Sequence, residues 1–362
     1  MNKQLAFSKW IVSFFVIVVT ILLVLSGVAY IIDPFFQFRV RDNAYMLNGW
    51  FVGSGLIKNY DYDMLILGSS MTQNFDMDLI REKLGVEPLH VGLGGVNTLE
   101  MKELVNLAYT VDKADYYYIC VDLFDFAKNA ETSRNLLYLF KSDILSSFHY
   151  LLSYEVWFRY IPVDVGFMIV DMCGGGDLPQ KFVYSRKIDR LEDWRLDFTF
   201  GEDVVLENYN NAIYSVSEID TDDLYNRMTA HIDQYFSGFD FQNGEHIFFF
   251  PPYSALFWYD AQEKGYFDSY LQAKQYFVKK STMYDVTVYD FQHANFIIDL
   301  DNYKDTTHYT PRINDWMVES FAEDEYVVTE ENSDEFQERL RENVDAFRER
   351  YVARSILQRS GF

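Results

Sequence analysis

Five short apolar runs, separated by stretches with helical spacing, constrain the fold of this chain more than any other feature. The runs cover residues 63–67, 88–92, 116–122, 246–250 and 286–290. Helical patterns such as 99–108 and 266–284 lie between them or follow them. Strands that alternate with helices favour a parallel sheet covered by helices on both faces. The sequence therefore predicts an α/β protein with a three-layer α/β/α arrangement and a five-stranded parallel sheet.

An uncharged apolar segment, residues 10–32, is long enough to cross a lipid bilayer as a helix. We interpret it as a transmembrane anchor, with residues 1–9 in the cytoplasm and residues 33–362 outside the membrane. Two lysines precede the segment and two arginines follow it closely, so the charge distribution favours this orientation only slightly. The alternative is a secretory signal cleaved near residues 27–29, but the apolar core is longer than in most signals.

The composition excludes several classes of function. The net charge is −24, from 55 acidic and 31 basic residues. Because binding to phosphates needs a basic face, we expect no nucleic-acid partner. The two cysteines are too few for a disulfide framework, and the cysteines and histidines lack the spacing of a metal site. We therefore expect neither a metal nor a cofactor.

Residues 127–243 separate the third and fourth predicted strands and are too many for one crossover connection. They include helical patterns at 135–152 and 221–236 and a glycine-rich loop at 173–177. We interpret the stretch as a helical insertion beside the functional edge of the sheet, acting as a cap or as a surface for a partner. Near the end of the chain, apolar positions at helical spacing predict a C-terminal helix at about 333–357.

Ser69 and Ser70 come directly after the first predicted strand and precede a helical pattern at 76–84. In a parallel sheet, the carboxyl ends of the strands and the N-termini of the following helices meet where ligands bind. A hydroxyl group at this junction is well placed to act as a nucleophile. The alternative is that these serines only cap the helix.

A general base for such a nucleophile must come from the six histidines. Three of them have an acidic residue three positions earlier: Glu87/His90, Asp290/His293 and Asp305/His308. The first pair indicates no site, whereas the second follows the last predicted strand and is a competing candidate. The third lies in a polar loop, and the helix that follows begins with Pro311. From this loop His308 can reach the carboxyl edge of the sheet.

Gly94 and Gly95 follow the second predicted strand, where glycine allows a turn with exposed N–H groups. Such groups can stabilise an oxyanion, although an ordinary tight turn has the same sequence.

Together, Gly68-Ser69-Ser70, Gly94-Gly95 and Asp305-x-x-His308 resemble, in this order, the motifs of the SGNH/GDSL hydrolase family. The resemblance covers roughly residues 33–325 and implies a flavodoxin-like strand order.

Within that family, the anchor, the Asp33-Pro34 exit and the segments 250–253 and 302–305 are similar to membrane-anchored extracytoplasmic members. Those members include the D-alanyl-transfer protein of teichoic-acid modification and alginate O-acetylation proteins. The resemblance implies a single-pass protein of the cell membrane. It implies a serine esterase or O-acyltransferase acting on acyl esters of cell-envelope glycans. The substrate would be an acylated glycan or a small acyl ester, and a membrane-bound O-acyltransferase is a candidate partner.

The resemblance also assigns roles to residues. Ser70 would be the nucleophile, His308 its general base, and Asp305 the group that orients the imidazole. The N–H groups of Ser70 and Gly95 would form the oxyanion hole. Gly94 is the alternative if the alignment shifts by one residue, and Asn97 is a further candidate donor.

One position departs from the family pattern. The third block of the family usually supplies an Asn side chain as an oxyanion donor, and this chain has Asp122 there. An ionised carboxylate cannot donate a hydrogen bond, and loss of one such donor costs about 10² to 10³ in rate in other enzymes. The alternative function is therefore a catalytically weak accessory or glycan-binding protein that serves a membrane-bound acyltransferase.

Overall fold

The computed structural model describes residues 2–40, 49–128, 137–173, 198–211 and 219–359. The chain forms two compact units: unit 1 contains the described residues of 1–60 and 134–188, and unit 2 those of 61–133 and 189–362. The helices are α1 (Asn2–Ile32), α2 (Gly49–Asn59), α3 (Met77–Leu84), α4 (Thr98–Val111), α5 (Ile144–Leu151), α6 (Ile161–Met172), α7 (Glu202–Asn210), α8 (Leu224–Phe236), α9 (Ala255–Glu263), α10 (Phe267–Thr282), α11 (Pro311–Ala322) and α12 (Ser333–Arg359). The strands are β1 (Met64–Gly68), β2 (Pro88–Gly92), β3 (Tyr116–Cys120), β4 (Glu245–Phe250) and β5 (Thr287–Asp290).

Unit 2 is built on a five-stranded sheet with the order β2-β1-β3-β4-β5, and every neighbouring pair is parallel. The α/β prediction and the flavodoxin-like strand order are confirmed. Gly68 at the end of β1 pairs with Gly92 at the end of β2, so the two following turns leave the sheet side by side. This juxtaposition brings the serine turn next to the glycine turn.

Alternate residues of a strand point to opposite faces of a sheet, and β4 shows why both faces need helices. Phe249 contacts Phe321 of α11 on one face. Phe248 contacts Tyr235 of α8 and Phe277 of α10 on the other. All five phenylalanine and tyrosine rings are buried, so the aromatic content of the chain supplies much of the core.

The C-terminal helix α12 covers residues 333–359, close to the predicted 333–357. Its apolar positions Leu340, Val344 and Phe347 are buried, and the helix packs against α9. The helix thus joins the core of unit 2, as its apolar spacing predicts.

Unit 1 joins α1 and α2 to α5 and α6. The chain turns sharply after α1 at Asp33, whose φ is 44°. The Asp33 carboxylate accepts hydrogen bonds from the N–H groups of Gln37 and Phe38 at 2.9 Å and from the Tyr150 hydroxyl at 2.8 Å. These bonds fix the direction in which the chain leaves α1.

Within α1, the segment Phe7–Ile32 is long and apolar enough to cross a membrane. Of its most apolar stretch of 18 residues, only 6% is buried. This agrees with the interpretation of residues 10–32 as an apolar helix. An almost fully exposed apolar surface is expected of a helix that faces lipid rather than protein.

The structure divides the stretch 127–243 that the sequence suggested as a single insertion. Its residues 127 and 128 belong to unit 2, and its described residues 137–173 belong to unit 1, where Tyr150 bonds Asp33. The described residues from 198 onward belong to unit 2, where α8 packs against α4 and α10 as part of a helical layer. Cys173 is exposed, and residues 174–177 of the predicted loop lie outside the described residues.

Candidate active site

The structure brings Ser70, His308 and Asp305 into one hydrogen-bonded chain. The Ser70 Oγ lies 2.7 Å from His308 Nε2, although 238 positions separate the two residues. His308 Nδ1 lies 2.7 Å from Asp305 Oδ2 and 2.9 Å from Oδ1. A carboxylate at Nδ1 favours the tautomer with the proton on Nδ1, which leaves Nε2 free to accept the Ser70 proton. The arrangement can therefore activate a serine for attack.

Ser70 lies on a turn that packs closely against the ends of β1 and β2. A single 3₁₀ turn, Ser70–Thr72, follows β1, and the Ser69 side chain caps it by accepting from the Met71 N–H at 3.3 Å. A Cβ atom at Gly68 would collide with the side chain of Thr72, and one at Gly92 would collide with the ring of His90. Only glycine fits at either position, so the ends of β1 and β2 pack closely against the turn.

The turn is also held from α11 and the loop before it. The Met71 carbonyl accepts hydrogen bonds from the Tyr309 hydroxyl at 2.9 Å and from Asn314 Nδ2 at 3.2 Å. Tyr309 and Asn314 are buried, and Tyr309 directly follows His308. Tyr309, which follows the candidate base, is thus hydrogen-bonded to Met71, which follows the candidate nucleophile. Sequence reasoning did not find this link, because neither residue belongs to a recognisable motif.

Asp305 is buried and well supplied with donors. One oxygen accepts from the backbone N–H groups of Thr307 at 2.9 Å and His308 at 2.8 Å. Burial by itself raises the pKa of Asp305, but the charge of His308 and these hydrogen bonds outweigh it and hold that pKa well below its ordinary value. Asp305 therefore stays ionised and keeps the imidazole oriented.

Neighbouring segments support the loop that carries Asp305 and His308. The Ser254 hydroxyl donates to the Thr306 carbonyl at 2.7 Å, and the Tyr303 hydroxyl donates to the Pro252 carbonyl at 3.0 Å. On another side, Asn208 Nδ2 of α7 donates to the Lys304 carbonyl at 2.8 Å. The sequence signal for these contacts was present in segments 250–253 and 302–305, but it did not show that they touch.

The glycine turn after β2 offers donors for an oxyanion. The Val96 N–H bonds the Leu93 carbonyl at 2.9 Å, and Gly95 has φ 68°, which favours glycine. Among the described residues, the N–H groups of Ser70, Gly94 and Gly95 have no hydrogen-bond partner. They are therefore free to donate to a reacting carbonyl oxygen, and their role in an oxyanion hole stays a prediction.

Asn97, the further candidate donor, caps α4. Its Oδ1 accepts from the N–H groups of Leu99 and Glu100 at 3.0 Å, and the Glu100 side chain bonds the Asn97 N–H in return. The side-chain oxygen is thus committed to the helix, as in a capping box. Asn97 also lines a small open pocket together with Asp122 and Asp125.

Asp122, in the third-block position, accepts hydrogen bonds from neighbouring hydroxyls. The Tyr253 hydroxyl donates to its Oδ1 at 2.6 Å, and the Ser69 side chain also bonds it. Burial raises the pKa of Asp122, and these two hydrogen bonds offset only part of that effect. Burial and the neighbouring Asp122 also raise the pKa of Asp125 to about 8. A buried carboxyl group, Asp122, and a part-buried one, Asp125, therefore lie close together beside the nucleophile turn.

The two other acid–histidine pairs are engaged elsewhere. Asp290 pairs with Lys274 at 2.7 Å, and the His293 ring lies 4.0 Å from the ring of Phe336. His90 Nε2 bonds the Thr72 hydroxyl at 2.9 Å. Of the three candidates, only His308 bonds Ser70.

Comparison with known proteins adds no assignment. A scan against models of protein families finds no match, and a search of curated proteins finds none either. The catalytic roles of Ser70, His308 and Asp305 therefore depend on their geometry and on the motif resemblance.

Proposed function

We propose that this protein is a serine esterase or O-acyltransferase that acts on acyl esters of cell-envelope glycans. The observation that carries the proposal is the Ser70–His308–Asp305 relay, with both of its side-chain contacts at 2.7 Å. A serine bonded to a histidine that is itself oriented by a buried carboxylate is the arrangement that produces nucleophilic serines.

The reaction follows from the positions of the groups. Ser70 Oγ attacks the ester carbonyl carbon, and its proton moves to His308 Nε2. The carbonyl oxygen becomes an oxyanion that the N–H groups of Ser70 and Gly95 stabilise. When the tetrahedral intermediate collapses, the alkoxide leaving group takes the proton from Nε2 and Ser70 keeps the acyl group. Water or a sugar hydroxyl then attacks the acyl-serine and gives its proton to His308 Nε2. When this second intermediate collapses, Ser70 Oγ takes that proton back as it leaves, and the free acid or the new ester is released.

The charge and the membrane segment support the choice of substrate and place. A net charge of −24 disfavours polyanionic substrates, so neutral or zwitterionic acyl esters fit better. With α1 as a single span, unit 2 lies outside the cytoplasm, next to the glycans of the envelope. A membrane-bound O-acyltransferase would be a suitable donor of acyl groups at that place.

Asp122 favours a second candidate, an accessory protein that binds glycan or an acyltransferase without efficient turnover. Its carboxyl group accepts from Tyr253 where the family has an amide donor. An oxyanion hole that has lost one hydrogen-bond donor stabilises the oxyanion less well.

A fluorophosphonate probe on the full-length protein in lipid nanodiscs tests the proposal, because only an activated serine reacts rapidly. We expect labelling that Ser70→Ala abolishes and that Ser69→Ala, in the same turn, retains. Hydrolysis of a small acetyl ester should follow the same pattern. Labelling that persists in Ser70→Ala would refute the mechanism, and a wild-type protein that neither labels nor turns over would support the accessory function.

A further inference from the structure

The helices of unit 1 that follow residue 140 expose a series of large apolar side chains. Six of them, which we call the apolar ridge, are between 50% and 78% exposed: Ile144, Leu145, Phe148, Phe158, Ile169 and Met172. They lie on α5, on the short π-helical stretch Val156–Tyr160 and on α6. Exposed apolar side chains that cluster in this way mark an interaction surface rather than ordinary solvent-facing positions.

Unit 2 shows the contrast. Among its described residues, only Met283 has an exposure in the range of the ridge, at 71%, whereas Phe198, Tyr225 and Tyr284 are between 37% and 42% exposed. Its sheet and helices bury their apolar faces. The exposed apolar surface outside α1 is therefore concentrated in one part of unit 1.

The ridge belongs to the helices that pack against α1. Both α5 and α6 contact α1, and the buried positions of α1 include the small residues Ser26 and Ala29 near its C-terminal end. Small residues allow helices to approach closely. The N-terminal half of α1 is exposed, so it has no such partner among the described residues.

The length of α1 sets the level at which this packing occurs. The apolar part of α1 has 26 residues, or about 39 Å at the rise of an α-helix, whereas the hydrocarbon core of a bilayer is about 30 Å thick. The C-terminal turns of a spanning α1 therefore reach the boundary between hydrocarbon and headgroups. Arg39 lies there, bonding the Tyr30 and Ile31 carbonyls and resting on the Tyr30 ring.

Aromatic residues at the same end have the character of a membrane-interface belt. Tyr154 and Phe158 stack with centroids 5.0 Å apart and are both exposed. Trp157 donates its indole N–H to the Leu151 carbonyl at 2.9 Å. Tyrosine and tryptophan are enriched at the level of lipid headgroups because their rings are amphipathic.

We propose that the apolar ridge inserts into the lipid bilayer at the interface where α1 ends, so that unit 1 binds the membrane through a surface as well as through its span. Lipid is the occupant because the ridge lies on helices next to α1, α5 and α6 being in direct contact with it, and the exposed apolar surface of α1 faces lipid in the proposed membrane span. The inserted side chains reach about 5 to 10 Å into the boundary between headgroups and acyl chains, as amphipathic helices do. This inference does not depend on the proposed enzymatic function.

A depth measurement on the full-length chain in lipid nanodiscs tests the proposal. In a Cys173→Ser background, with Cys120 buried, a single cysteine replaces Phe158 or Leu145 and carries an environment-sensitive fluorophore. The matched control is Met283→Cys in unit 2, because Met283 is 71% exposed and Phe158 is 70% exposed. Labels at an exposed surface do not threaten the fold, and circular dichroism verifies it.

We expect lipids brominated on the acyl chain to quench the Phe158 and Leu145 labels, with aqueous iodide at least about threefold less effective there than at Met283, because the inserted side chains leave water. Equal quenching by iodide at all three sites would overturn the proposal. Protection from iodide without quenching by brominated lipid would overturn it too, since the ridge would then be covered by a second copy of the chain.

Discussion

Replacing Asp305 with asparagine tests the relay most directly, because it keeps the size and shape of the side chain and replaces one carboxylate oxygen with an uncharged NH₂ group. In the native chain, one Asp305 oxygen accepts from the N–H groups of Thr307 and His308, and the other lies 2.7 Å from His308 Nδ1. The asparagine oxygen can keep the two backbone bonds, and its NH₂ group then faces Nδ1. Because NH₂ only donates, Nδ1 must accept and the ring proton must move to Nε2.

The change in the His308 tautomer affects Ser70. With a proton on Nε2, His308 donates to the Ser70 hydroxyl across the 2.7 Å contact and cannot accept its proton. The same substitution lowers turnover by about 10⁴ in another serine hydrolase, which corresponds to about 5 kcal/mol of transition-state stabilisation. We expect Asp305→Asn to lower kcat/KM on a small acetyl ester by about 10³ to 10⁴.

The assay measures ester hydrolysis and the rate of fluorophosphonate labelling in the same preparations. Thermal unfolding provides the control for loss of structure, and the double variant Asp305→Asn/Ser70→Ala should be no slower than Ser70→Ala alone, because residues of one relay act as a unit. If Asp305→Asn kept activity within about tenfold of wild type while remaining folded, the tautomer reasoning would be refuted.

Three further substitutions give distinct outcomes. Asp122→Asn should raise the esterase rate by up to about tenfold to a hundredfold, since the amide keeps an acceptor for Tyr253 and adds a donor; an unchanged rate would contradict the third-block assignment. Asp125→Asn should stabilise the protein, and the gain should grow as the pH rises from about 4 to about 8. The pKa of the Asp125 carboxyl is raised to about 8 in the folded chain, so between about pH 4 and about pH 8 the folded state holds a proton that the unfolded state has lost. The stability of the wild type therefore falls over this pH range. If the free energies of unfolding in urea showed the same pH dependence for the two proteins, this reasoning would be contradicted. Lys274→Met should cost about 3 to 5 kcal/mol in urea unfolding, because it leaves the buried Asp290 uncompensated, and a loss below about 1 kcal/mol would show that the pair contributes little.

The sheet could be predicted from the sequence because its signals are local. Each strand is a short, mainly apolar run, and the observed strands differ from the predicted runs by at most two residues at either end. The strand order came from the motif resemblance, since no local pattern distinguishes one parallel order from another.

The candidate site could be predicted only where its residues stand beside element boundaries. Ser70 follows a strand, and His308 precedes a helix that begins with Pro311. The hydroxyl of Tyr309 on the Met71 carbonyl has no such marker, because a buried tyrosine in sequence looks like any other core residue. The partner of Asp122 was equally hidden: Tyr253 is 131 positions away and meets it only through the pairing of β3 with β4.

The boundaries of unit 1 could not be predicted from the sequence either. Asp33 and Tyr150 are 117 positions apart, and their hydrogen bond unites two segments that the hydropathy pattern treats as unrelated. An insertion was therefore assigned to the sheet, whereas its first part assembles with α1.

The burial of Ala29 bears on whether a protease can separate α1 from the rest of the chain. Ala29 is 0% exposed and lies inside α1, which continues to Ile32. A protease needs an extended and accessible chain, so cleavage after Ala29 requires the end of α1 to unwind and to leave α5 and α6. The packed face of those helices would then join the exposed surface, and a released fragment would tend to aggregate or return to lipid. Removal of the apolar part of α1 by a protease is thereby coupled to the unfolding of unit 1.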